Sequence, residues 1–208
     1  MNLRGSPLFI CLDGMDGTGK TTQCEMLVEW LRGQGREVVF ARDPGSTELG
    51  THIRGLLLGH KGAMSRECEM SLFFAARAQM IEEIIKPAFS SGKDVVLDRY
   101  LLATIAYQGY GNGMDVARMW QAGLFAAGDV MPELLLVLDL PVEVALARLK
   151  GMPDRLESRG ADYFGRVRQG FLEEAKAKRH RINSVSALGS QSEVHHRVLN
   201  EVKAAFSI

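Results

Sequence analysis

The sequence predicts a three-layer α/β/α fold built on a five-stranded parallel sheet. Three observations lead there. Four segments, 8–13 (LFICLD), 37–41 (EVVFA), 94–98 (DVVLD) and 134–139 (LLLVLD), are short and almost continuously apolar, as strands are when helices cover both faces. Helical spacing fills the stretches between them, and such alternation gives parallel strands joined by crossover helices. The first of these runs also leads straight into a glycine-rich turn and then a helical pattern.

In chain order, 8–13 is the first strand. TTQCEMLVEWLRGQG then puts Met26, Leu27, Trp30 and Leu31 on one helical face and stops at Gly33 and Gly35. The second strand, 37–41, precedes a long helical pattern over 66–91, carried by Met70, Phe73, Phe74, Met80, Ile81 and Ile84 and interrupted by Pro87. After the third strand, 94–98, helices are expected near 100–108 and 115–127. After the fourth, 134–139, they are expected near 142–150, 161–179 and 190–206, with a weaker fifth strand at 181–187 (RINSVSA). The glycine-rich stretches 107–113 (YQGYGNG) and 150–160 (KGMPDRLESRG) read as loops. No repeat or long linker divides the 208 residues, so residues 1–208 read as one domain.

Bulk composition narrows the function classes. The chain is 46 % apolar and 24 % charged with zero formal net charge, so no overall basic field points to nucleic acid or an anionic membrane. No apolar run reaches the roughly 18–20 residues that span a bilayer. The short N-terminal run ends at Asp13 and Gly14 and reads as a strand rather than a leader. Cys11, Cys24 and Cys68 form no CxxC pair, which fits reduced thiols in a cytoplasmic protein.

Gly14 to Thr21, GMDGTGKT, fits GxxxxGK[ST] between a strand and a helix, the context that a phosphate-binding loop (P-loop) requires. Glycines let the backbone N–H groups turn inward onto phosphate oxygens, and the helix N-terminus adds partial positive charge. Gly14, Met15, Asp16, Gly17, Thr18, Gly19, Lys20, Thr21 and Thr22 are thus the candidate contacts to a nucleoside triphosphate. Lys20, expected in a solvated loop, would reach the β- and γ-phosphates, and the Thr21 hydroxyl would ligate Mg²⁺. An ordinary turn with a surface lysine is the plain alternative. No NKxD guanine-reading sequence is present.

The third strand ends in Asp98-Arg99, at the carboxyl edge where open α/β sheets bind ligands. There Asp98 can hold Mg²⁺ or its waters and Arg99 can bridge donor and acceptor phosphates. A surface ion pair is the competing reading.

With these residues in view, the chain resembles the thymidylate kinases, small P-loop NTPase-fold enzymes. The likeness runs from Leu8 to about Lys178, through GMDGTGKTTQ, ARDPGSTELGTHIRGLLL (41–58), LFFAARAQ (72–79), DRYLLATIAYQG (98–109), PELLLVLDLPVEVALAR (132–148) and DRLESRGADYFGRVRQGFLEEA (154–175). The resemblance implies ATP:dTMP phosphotransfer giving dTDP and ADP for deoxynucleotide synthesis, with Mg²⁺ as cofactor. ATP and dTMP are then the partners, and a homodimer is expected.

By the same resemblance Phe73 stacks on thymine and Arg77 hydrogen-bonds the base. The two lie four apart, hence on one helical face. Asp16 faces the acceptor sugar's 3′-hydroxyl, Pro44 packs near the acceptor, and Thr104, Tyr107 and Gln108 join the substrate pocket, with Tyr107 beneath the deoxyribose. Asp43 stands where the family usually has glutamate. The phosphate loop has Gly17 where some members place an arginine, so the resemblance asks the lid at 148–160 to supply one. Arg148, Lys150, Arg155 and Arg159 are available there; Arg155 ranks first, as a catalytic residue with Lys20, Asp98 and Arg99, and Arg148 second. Two rivals remain open: a P-loop kinase for another nucleoside monophosphate or nucleoside, and a regulatory nucleotide-binding ATPase.

Overall fold

The computed structural model describes residues 6–128, 130–149, 155, 159–177 and 180–208. Strands β1 (Phe9–Asp13), β2 (Val38–Arg42), β3 (Asp94–Asp98), β4 (Leu134–Asp139) and β5 (Ile182–Ser186) form one sheet in the order β2-β3-β1-β4-β5. Every pairing is parallel, with Leu12 opposite Asp98 and Asp13 opposite Val137. In β1 and β3 all five residues are buried. The edge strands need less apolar character: β2 leaves Phe40 exposed, and β5 buries only Ile182 and Val185.

Helix α1 (Lys20–Gly33) follows β1, and α2 (Glu48–Gly59) follows β2. Helix α2 is not among those expected from sequence. Its signals are Thr47, whose side chain caps the helix by accepting from the Gly50 N–H, and the buried pair Ile53 and Leu57 four residues apart. Next, α3 (Arg66–Met80) passes through a π turn (Ile81–Ile85) into α4 (Lys86–Ser90). The interruption expected at Pro87 therefore lies just before it. Proline has no N–H and crowds the carbonyl four residues back, and the wider π turn makes room for it.

After β3 come α5 (Leu101–Thr104) and a second π segment (Ile105–Gly111), then α6 (Val116–Ala127). The loop expected at 107–113 is thus corrected: its first five residues are helical, and Tyr107, Gln108, Gly109 and Gly111 are buried. Glycine serves close approach here, since a Cβ on Gly111 would lie 2.6 Å from the Tyr163 ring. That ring belongs to α8 (Ala161–Ala177), which follows α7 (Val142–Ala147); α9 (Gln191–Phe206) closes the fold with a Ser190–Glu193 capping box. The loop read at 150–160 falls mostly outside the described residues.

The main core packs both faces of the sheet, while Ile53, Leu57 and Ala76 form a separate cluster between α2 and α3, flanked by Phe73. Among the described residues no helix is long and apolar enough to cross a membrane. Cys11 and Cys24 are buried and Cys68 is exposed, all as free thiols.

Candidate active site

Between β1 and α1 the chain turns through Gly14, Gly17 and Gly19, all at positive φ. At Gly17 the requirement is double: φ is +79°, and a Cβ would lie 2.1 Å from the Ala145 carbonyl oxygen of α7. No other residue fits there without moving backbone. The Met15 carbonyl, tucked under the loop, accepts from Thr18 Oγ1 at 2.8 Å and from Lys20 Nζ at 2.7 Å. Lys20 is buried at the first position of α1, which corrects the expectation of a solvated loop lysine. Burial, reinforced by Arg99, pushes its ammonium down to about 8, against the opposing pull of Asp16, Asp98 and Asp13. Residues Asp16 to Thr22 line one open cavity, together with Arg42, Arg54, Arg99 and Arg148.

At the floor of that cavity Thr21 Oγ1 donates to Asp98 Oδ2 at 2.6 Å. Arg42, at the end of β2, donates to the same carboxylate oxygen at 2.7 Å and also contacts the Thr21 hydroxyl. Burial would raise Asp98, but Lys20, the Thr21 hydrogen bond and the two arginines outweigh it and hold the group ionised. Its Oδ1 is buried without a hydrogen-bond partner. A hydroxyl beside an ionised carboxylate with a spare oxygen suits Mg²⁺, which takes oxygen ligands and commonly only one or two from protein. Among the described residues no cluster of three or more His, Cys, Asp or Glu offers a fuller cage.

Arg99 stands between this cavity and a second one. Its φ of +72° is uncommon for a residue with a side chain, and such strain tends to be held at functional positions. The guanidinium donates to the Gly14 carbonyl at 3.1 Å, pairs with Asp16 and lies 5.1 Å over the Tyr107 ring. Tyr107 closes the triangle, donating to Asp16 Oδ2 at 2.7 Å while accepting from the Asp16 N–H at 3.1 Å. Burial would raise Asp16, but Arg99, Lys20 and the Tyr107 hydrogen bond hold it well below the usual carboxylate range.

The second cavity is lined by Pro44, Phe73, Arg77, Thr104, Tyr107 and Gln108, among others, and shares Asp16, Arg54 and Arg99 with the first. Arg77 is almost fully buried. Its Nε donates to Asp43 Oδ2 at 2.6 Å and its Nη2 to Thr104 Oγ1 at 2.9 Å, while Nη1 has no partner. Gln108 gives its amide N–H to Glu69 at 2.8 Å and leaves its Oε1 buried and unpartnered. Phe73 is half-buried at this wall rather than in the main core. The arrangement offers a flat ring, one free donor (Arg77 Nη1) and two free acceptors (Gln108 Oε1 and Asp43 Oδ1), and it meets the phosphate-loop cavity at Asp16, Arg54 and Arg99.

The thymidylate kinase family model matches residues 12–198. The chain belongs to the thymidylate kinase family. It is 46 % identical over 186 residues to the thymidylate kinase of Rhodopirellula baltica, covering 89 % of this chain and 76 % of that one. To the thymidylate kinase of Kosmotoga olearia it is 40 % identical over 196 residues, covering 93 % and 94 %. A crystal structure of thymidylate kinase from Ehrlichia chaffeensis superposes with a TM-score of 0.80 at 30 % identity, over 95 % of this chain and all of that one. Membership carries the family's activity, ATP-dependent phosphotransfer to dTMP.

In this chain the sheet gathers most of the residues that sequence reasoning singles out. Gly14 and Met15, expected among the ATP contacts, do not line the loop cavity; their carbonyls accept from Arg99 and Lys20 instead. The lid arginines are arranged otherwise than ranked above. Arg148 lines the loop cavity. Arg155 instead donates to the Leu57 carbonyl at 2.8 Å and to Glu69 Oε2 at 2.5 Å, and it lines neither cavity. Arg159 holds the same Glu69 oxygen at 2.7 Å, and Lys150 lies outside the described residues.

Three further side chains escape the sequence reading: Arg42, Arg54 and Glu69. Arg42 ends a strand beside Asp98 and is findable by the rule that found Asp98. Arg54 goes with the unregistered helix α2. Glu69 carries no motif.

Proposed function

We propose that the protein transfers the γ-phosphate of ATP to dTMP, giving dTDP and ADP, with ATP in the loop cavity and dTMP in the Phe73–Arg77 cavity. The observation that carries this reading is the shared wall: Asp16, Arg54 and Arg99 line both cavities, so a donor phosphate and an acceptor phosphate would meet at one guanidinium. The acceptor is a phosphate oxygen, already anionic, so the chemistry needs no general base. Positioning and charge neutralisation suffice. Lys20 and the loop N–H groups would hold ATP, Arg99 would grip the phosphates being joined, and Asp16 would face the acceptor sugar. Mg²⁺, held through Thr21 and Asp98, would neutralise phosphate charge.

Arg148 is the lid residue best placed to join them, since it already lines the loop cavity. Phe73 would stack on thymine, and Arg77 Nη1, free of any partner, would donate to a base carbonyl. The protein would act as a single domain in a homodimer. Leu49 and Leu56, exposed seven residues apart on α2, give one helix an unburied apolar face. We place it in the cytoplasm, where three free thiols are in keeping, with neither nucleic acid nor membrane as a partner.

Steady-state assays with ATP–Mg²⁺ and a panel of monophosphates (dTMP, dCMP, dAMP and dGMP) test the reading, alongside light scattering for the dimer. dTMP should give the highest kcat/KM. Turnover of ATP that no monophosphate accelerates would sink the reading and favour a regulatory ATPase, and a different preferred acceptor would reassign the substrate.

A further inference from the structure

We propose that Glu69 is a positioning residue for base selection: it fixes which end of the Gln108 amide faces the acceptor base. The proposal rests on the second cavity being the dTMP site. Glu69 lies in the first turns of α3, 2 % exposed. One carboxylate oxygen accepts from Gln108 Nε2 at 2.8 Å and Asn112 Nδ2 at 3.4 Å; the other accepts from Arg155 at 2.5 Å and Arg159 at 2.7 Å. Burial would raise its pKa, yet these hydrogen bonds and the two guanidinium charges outweigh burial and keep it ionised.

An ionised carboxylate can only accept hydrogen bonds. It therefore draws the NH₂ end of the Gln108 amide and turns the oxygen the other way. That oxygen is buried with no partner, as is Arg77 Nη1, and both residues line the same cavity. The wall thus presents Gln108 Oε1 as a fixed acceptor and Arg77 Nη1 as a fixed donor, with Asp43 Oδ1 a second unpartnered acceptor on the carboxylate that holds Arg77. Thymine matches it, with an N–H at ring position 3 beside carbonyl oxygens. Cytosine offers a bare nitrogen acceptor at position 3 and an amino group at position 4, so acceptor would meet acceptor and donor would meet donor. A mismatch of buried polar groups rejects a ligand more strongly than a missing contact does. Were the Gln108 amide free to rotate, it could serve either base. Glu69 removes that freedom.

The test compares kcat/KM for dTMP and dCMP in three variants. Glu69→Gln replaces an obligate acceptor with a group that can donate or accept, so Gln108 can turn over. The dTMP:dCMP ratio should fall by about tenfold or more, through KM for the monophosphate, with KM for ATP unchanged. Glu69→Asp remains acceptor-only and should keep the ratio whatever it does to overall rate. In a Gln108→Leu background, Glu69→Gln should leave the ratio where Gln108→Leu alone puts it.

A Glu69→Gln variant that loses activity on both substrates alike, with the ratio intact, overturns the proposal and leaves Glu69 as an anchor for Arg155 and Arg159. If Gln108→Leu changes neither KM nor ratio, the cavity itself is misassigned. The unmodified protein gives a check that needs no variant to fold. With ¹⁵N-labelled glutamine, the Gln108 amide protons should be protected from exchange before dTMP is added as well as after. Protection that appears only with dTMP would mean the NH₂ faces the base, and the proposal falls.

Discussion

Lys20 holds a positive charge in a place that makes it weakly basic. Burial, reinforced by Arg99, takes its ammonium from an ordinary 10.5 to about 8, and bound ATP would add negative charge beside it and raise it again. Below about 8 the lysine is protonated with or without nucleotide, so it contributes no proton exchange to ATP binding there. In the window above about 8 the lysine without nucleotide has lost the proton that the charge of bound ATP would retain. ATP binding should therefore take up a proton and weaken as pH rises through that window. Calorimetry in two buffers of different ionisation enthalpy reads the uptake directly; no uptake at about pH 9 would place the titration elsewhere. For Arg99 the expectation is kinetic. Arg99→Lys keeps the charge but loses the planar fork, so kcat should drop about a hundredfold or more while KM for ATP changes little. A change confined to KM would mean that Arg99 only binds ground states.

Among the elements, Gly111 sets how closely α8 can lie against the π segment. The contact is tied by Arg166 donating to the Gly111 carbonyl at 3.0 Å and by Tyr110 donating to Glu174 at 2.9 Å. Ala in place of Gly in a helix gains about 1 kcal/mol from propensity. Here the added methyl would meet the Tyr163 ring, whose hydroxyl is fixed by the Tyr107 carbonyl at 3.0 Å, and overpacking costs about 1–3 kcal/mol. Gly111→Ala should thus destabilise on balance, and urea unfolding of both proteins checks it; a gain in stability would show that α8 yields easily.

The same segment shows where sequence reading stops. Runs such as LFICLD are legible because both faces of β1 are covered, so every position carries the signal. The edge strand β5 is fainter because most of its residues face outward. YQGYGNG reads as a loop because glycine is locally ambiguous: a turn and a tight helix contact ask for the same residue. The phosphate loop and Asp98-Arg99 are legible because their chemistry is local to one turn or one strand end. The placement of Arg155 is not, since a long side chain can reach any of several carboxylates, and Glu69 becomes visible only when α3 has packed.

At the scale of the molecule, two cavities meet over one edge of the sheet, and binding at either should report on the whole fold. A ligand at a hundredfold excess over its Kd stabilises a folded protein by about 2.7 kcal/mol. ATP–Mg²⁺ and dTMP should each raise the melting temperature, and a monophosphate that cannot fill the second cavity should not. Equal shifts from all monophosphates would reduce that cavity to a general phosphate site.

The contact between Gly17 and Ala145 limits how such an enzyme could be remodelled. An arginine introduced at position 17 has to displace main chain of helix α7 at Ala145, not merely a neighbouring side chain. Moving a cation from lid to loop is therefore not one substitution away. Gly17→Arg made alone should disrupt the loop, and it could be tolerated only after a prior change had shifted the backbone around Ala145. The two arrangements are neighbours in chemistry and distant in mutational steps, and the order in which the changes arrive decides whether the path exists.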